Sequence, residues 1–141
     1  MSRGFFRVAL DIPVPVRATL LRQYPPGLPV VLAQSVTWAY RVPNDFSFNR
    51  AAQPVVVYGI HRDARTEALL CRIGNTDFQP LQPTRPLHLT LSTAEGVPPV
   101  EAGSLDLANA ILFTEPFVFT ARLQAFALRR LAQVAQARAA A

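Results

Sequence analysis

The chain has 141 residues, half of them apolar, which suits one domain with a single buried core and excludes a disordered composition. Its formal charge is +5, and no lysine occurs anywhere. A GC-rich genome accounts for the arginine bias, although a sequence pI near 10.6 also suits an anionic partner, for which guanidinium is the better fork.

The lone cysteine, Cys71 in "EALLCRIG", cannot form an internal disulfide and reads as a small buried hydrophobe. No apolar run reaches the roughly 18 residues of a membrane span. The run in "MSRGFFRVALDI" is too short, and meets Asp11 too early, for a secretory signal. The expectation is a cytoplasmic monomer with no membrane partner.

Taken in chain order, "FFRVALDI" (Phe5–Ile12) reads as a first strand closed by Pro13. Pro15 to Gln23 reads as a helix with Val16, Leu20 and Leu21 on one face, stopped by "YPPGLP". "VLAQSVTWAYRV" is a second strand ended by the turn-forming "PNDFSFN". "PVVVYGI" and "TEALLCRIG" form a hairpin across "HRDAR", the second run being also readable as helix. A proline-broken loop leads into "RPLHLTLST", a strand, and "AEGVPPVEAG" is the loop after it. "SLDLANAIL" predicts a short helix with Ser104 as N-cap and Asp106 in its first turn. "PFVFTARL" predicts the last strand, and a basic C-terminal helix is expected from about Phe126. The whole, residues 1–141, is one α+β domain.

In "RPLHLTLST" the alternation sets Leu87, Leu89 and Leu91 on one face and His88, Thr90 and Ser92 on the other. Alone, that is either a polar sheet face or half of a catalytic site. "QSVTWAY" repeats the pattern: Ser35 aligns with His88 and Thr37 with Thr90, at an offset of 53 residues. By the same alternation Trp38 and Tyr40 point away from Thr37, toward the core. His61, in "GIHRDAR", reads as an exposed turn histidine, and the arginines of "ALRRLAQVAQAR" as a solvated helix face. Asp63 and Glu67 have no spacing that holds a metal, and no Cys/His cluster or glycine-rich phosphate loop occurs.

The stretches "SVTWAYRVP", "VVVYGIHRDARTEALLCRIG" and "PLHLTLSTAEGVPPVEAGSL" resemble the two-histidine (2H) phosphoesterases, closest to the phosphodiesterase domains of RNA-repair and tRNA-ligase-type enzymes. That family carries His-x-Thr/Ser-x twice, and the resemblance covers about Gln34 to Leu105. It implies a bilobal α+β fold, antiparallel sheets around a central cleft with flanking helices, and metal-independent opening of 2',3'-cyclic phosphates or related 2'-linked phosphodiesters. RNA 3' ends or small cyclic nucleotides are then the partners, and no cofactor is required. Carried over by position, His88 and Thr90 match the second motif and Thr37 the first hydroxyl; Tyr40 and Arg41 follow as substrate-binding candidates.

Ser35 stands where the first histidine belongs. Opening a cyclic phosphate takes a base for water and an acid for the leaving alkoxide, and two imidazoles can do both near neutral pH. Serine has no pKa near 7 and can only hold an oxygen. Three readings stay open: an inactivated variant of an enzyme, a binder without turnover, or an enzyme whose lost role has passed to another group, His61 being the remaining imidazole. A plain α+β interaction module is the reading without the resemblance.

Overall fold

Alternation in "FRVALD" sends Val8 and Leu10 into the core and leaves Arg7 on the opposite face of β1 (Phe6–Asp11). The computed structural model describes residues 5–99 and 105–128. Pro13 then opens α1 (Val14–Gln23), its carbonyl accepting the first helical bond from Arg17 N. The helix seats Leu20 in the core and ends before Pro25 and Pro26.

The expected second strand is broken. Val30–Val31 form β2, and β3 (Ser35–Val42) begins only after Ala33 takes a left-handed φ of 54°. Ala33 is fully buried and its N–H donates to Thr90 O, so tertiary pairing overrides the continuous β-propensity. β4 (Gln53–Arg62) and β5 (Thr66–Ile73) form the expected hairpin, closed by Asp63 Oδ1 accepting from Arg65 N and Thr66 N. Those bonds hold the Asp63 carboxyl below its usual range. The turn is tighter than "HRDAR" predicts, and His61 is a buried residue of β4 paired with Ala68, correcting its reading as an exposed turn residue.

β6 (His88–Thr93) follows, with Leu87, Leu89 and Leu91 in the core. The helix predicted in "SLDLANAIL" is a single 3-10 turn, Leu107–Asn109, capped by Asp106 accepting from Ala108 N. Its apolar tail, Ile111 and Leu112, belongs instead to β7 (Ile111–Ala121), where it pairs with β4; Ser104 lies outside the described residues. β8 (Leu123–Ala127) takes Phe126 and Ala127 as strand, because β1 offers them a ladder, so the C-terminal helix does not start at 126. The rest of that predicted helix falls outside the described residues.

All the strands join one antiparallel sheet in the order β7-β4-β5-β6-β3-β1-β8, with β2 against β6. The chain is thus α+β, mostly antiparallel sheet, with one α-helix among the described residues. That helix packs on the leucine-rich face. Cys71 is buried there, and desolvation pushes its thiol up to about 12. At Gly59, where β4 and β7 change register, an added Cβ would sit 2.9 Å from Ile111 O, so only glycine lets β7 approach. No described helix is long and apolar enough to cross a membrane.

Candidate functional site

β3 and β6 are adjacent, and Val36↔Leu89 is the residue pair that joins them. In that antiparallel register Thr37 lies across from His88 and Ser35 across from Thr90. A local two-fold through the pair superposes Val36 on Leu89, Ser35 on His88 and Thr37 on Thr90, the same 53-residue offset as the sequence echo. The flanking pairings β1·β3 and β5·β6 each run to five residue pairs, so the centre of the sheet is its narrowest seam.

Beside that seam is a cleft of about 590 Å³, a size that suits a small organic ligand. Ser35, Thr37, Tyr40, His88 and Thr90 all line it. Two arginines, Arg7 and Arg85, line it too, whereas no carboxylate does among the described residues. The Arg7 guanidinium on its wall favours an anion.

Arg7 was missed in the sequence because "FFRVALDI" reads as an apolar strand. Its position depends on pairing with β3, where Ala9 faces Thr37 and Asp11 faces Ser35. The single guanidinium inside an apolar run was the only available signal. Arg7 Nη2 donates to Ser35 Oγ at 2.6 Å and to Thr37 Oγ1 at 2.9 Å, and Nε donates to Thr37 Oγ1 at 3.1 Å. Burial lowers its pKa, opposed by Asp11 and Tyr40, and the group stays cationic at any ordinary pH. Both hydroxyl oxygens are accepting from a cation, so each keeps its own O–H to donate, polarised toward a negative oxygen.

His88 is only 9% exposed. Its Nδ1 is 2.9 Å from Pro86 O, and a carbonyl can only accept, so the proton sits on Nδ1 and the neutral ring keeps Nε2 as its base. Desolvation by burial lowers its pKa below 6.5; the Pro86 bond opposes this and Arg85 adds to the lowering. At neutral pH the imidazole is uncharged and ready to accept a proton.

Two register shifts in the β1·β3 pairing alter the outer end of β3. Val8↔Ala39 is followed by Ala9↔Thr37, which leaves Trp38 as an extra residue. The bulge keeps Trp38 packed against the core, as predicted, but turns Tyr40 onto the cleft, 59% exposed, correcting its reading as a core residue. The second shift falls at Arg41, at φ 58°, whose guanidinium lies 5.4 Å from the Phe5 ring centre. Arg41 is not among the residues that line the cleft, and neither is His61. The described residues contain no group of three or more His, Cys, Asp or Glu side chains placed to hold a metal ion. Glu67 is instead buried in a structural network, accepting from Gly27 N and Ser92 Oγ and pairing with Arg62 Nε at 2.7 Å.

No family model, curated protein or solved structure matches this chain.

Proposed function

We propose that the cleft is the active site of a 2H-type phosphodiesterase that acts on 2',3'-cyclic phosphates or 2'-linked phosphodiesters of RNA ends or nucleotides, impaired in this form by Ser35. The observation that carries the reading is the Arg7 clamp. It polarises the hydroxyls of Ser35 and Thr37 toward an anion, in a cleft that also holds a neutral imidazole. The local two-fold that relates Ser35–Thr37 to His88–Thr90 supports the bilobal 2H arrangement, with β7-β4-β5-β6 as one lobe and β3-β1-β8 as the other.

In this mechanism the phosphoryl oxygens take the Thr37 and Thr90 hydroxyls and the Arg7 guanidinium, which stabilise charge as water adds to phosphorus. His88 Nε2 removes the proton of that water. One P–O bond of the ring breaks, and the departing alkoxide takes its proton from solvent, since Ser35 has none to exchange at neutral pH. Losing one proton-transfer group costs on the order of 10²–10⁴ in rate. His61 does not line the cleft, which argues against its having taken over the role.

A second reading, a non-catalytic binder of RNA ends or cyclic nucleotides, is favoured by the same 2.6 Å bond, because the residue in the place of an acid is a serine fixed by a guanidinium. Turnover of a panel of 2',3'-cyclic nucleotides and 2',5'-linked dinucleotides separates the two. Slow, metal-independent hydrolysis that disappears in His88→Ala supports the enzyme. Saturable binding without turnover in the chain as it stands and in Ser35→His supports the binder. Absence of binding to any member of the panel overturns both.

A further inference from the structure

We propose that Tyr40 and Arg41, with Phe5 behind them, form a second subsite beside the Arg7 clamp that holds the nucleotide upstream of the cyclic phosphate. The substrate is then the 3' end of an RNA strand and not a mononucleotide; the inference rests on the cyclic-phosphate reading above. Within the β1·β3 pairing Phe6 meets Val42 and Val8 meets Ala39, so two residues, Tyr40 and Arg41, stand across from the single Arg7. A bulge of this kind re-aims side chains and is over-represented next to active sites. Here it sets Tyr40 on the cleft wall, 59% exposed and close enough to Arg7 to act on its charge. Arg41 holds a φ of 58°, which is uncommon for a residue with a side chain and costs free energy.

Phe5 joins them from the start of β1. Leu128 N donates to Phe5 O and so extends the β1·β8 ladder, and alternation then keeps Phe5 on the face of Arg7. The Arg41 guanidinium lies 5.4 Å from the Phe5 ring centre, which holds it in place, and it makes no ion pair among the described residues. Exposed aromatic faces beside a cation are what single-stranded nucleic acid needs, the bases stacking on the rings and the phosphates meeting the charge. Continuity with the cleft decides which nucleotide is held. A 2',3'-cyclic phosphate closes its strand on the 3' side, so any further nucleotide is joined through the 5' oxygen. Arg41 stands one strand from Arg7, about 4.8 Å between backbones, where it takes the connecting phosphodiester while the preceding base stacks on Tyr40.

The test is calorimetric binding of uridine 2',3'-cyclic phosphate, and of the uridylyl-uridine dinucleotide that ends in the same cyclic phosphate, to the wild type, Tyr40→Leu and Arg41→Asn. The readout is the ratio of the two Kd values, which cancels any loss the ligands share. In the wild type the dinucleotide should bind about tenfold tighter or more, from one added base stack and one added phosphate contact. Either substitution should bring the two Kd values to within about threefold of each other. Raising the salt should shrink the advantage in the wild type and leave it unchanged in Arg41→Asn. Asparagine tolerates a positive φ and Tyr40 is exposed, so neither substitution asks for a new backbone. A wild type that binds both ligands equally, or an advantage that survives either substitution, overturns the subsite and leaves the cyclic-phosphate reading standing. A wild type that binds neither ligand overturns that reading and this one together.

Discussion

The two central strands, β3 and β6, carry the same polar-x-Thr pattern and differ in what holds it. On β6 the first polar residue is His88, buried, uncharged at neutral pH, and oriented by the Pro86 carbonyl. On β3 it is Ser35, and a guanidinium from β1 bonds it and Thr37 together. One half-site can move a proton, and the other can only hold charge. Related positions on one sheet thus differ in chemistry through one side chain and one neighbouring arginine.

Making the halves alike should have the largest effect. Ser35→His is expected to raise turnover of the right ester by about 10²–10⁴. His88→Ala on that background should abolish the gain, because acid and base act as a unit. Arg7 adds a refinement: a cation beside the new imidazole, the acid of the pair, holds its pKa down, so Ser35→His with Arg7→Gln should move the alkaline limb of a bell-shaped rate profile to higher pH. The protein as it stands should instead show a rate that rises through the pKa of His88, below 6.5, and then levels off.

Removing the arginine should come next. Arg7→Met is expected to weaken a cyclic phosphate by about tenfold or more, as charge-assisted bonds contribute about 1.5–3 kcal/mol each. It should also flatten the salt dependence of binding, measured by titration from low to high ionic strength. A smaller, asymmetric effect should follow from the threonines. Thr90→Val removes one hydroxyl, whereas Thr37→Val also strips Arg7 of two of its three bonds. The Kd should therefore rise more for Thr37→Val, and equal losses would argue that the Arg7 clamp does not matter.

The smallest effect is on stability. The folded pKa of His88 lies below its unfolded value near 6.5. The unfolded chain therefore binds more protons between those values, and stability is full above about 6.5 and falls as pH drops toward the folded pKa. Chemical denaturation at pH 7.5 and 5.5 should show this loss in the wild type and less of it in His88→Gln.

The parts of this site that were legible in sequence are those governed by local alternation. The apolar and polar faces of β6, the helix over Val14–Gln23 and the β4–β5 hairpin follow from periodicity and turn residues. Ser35, Thr37, His88 and Thr90 share a cleft because two alternating strands happen to pair in the register of the echo. What could not be read depends on partners distant in the chain. Arg7 acts only through β1·β3 pairing, and Tyr40 reaches the cleft through a bulge at Trp38. Ala33 breaks a run of good strand formers because β6 takes its N–H. "SLDLANAIL" had a cap and a helical composition, and its end was claimed by the sheet edge at β4.

The central claim is that the two strands form one anion site. The direct measurement is a nuclear magnetic resonance titration with a nucleoside 2',3'-cyclic phosphate, following the His88 ring nitrogens and the backbone amides of Ser35 and Thr37 in the same sample. The account predicts that signals from both strands shift together and saturate at one Kd, and that Arg7→Met weakens both equally. Shifts confined to one strand, or saturation at two different Kd values, would contradict it.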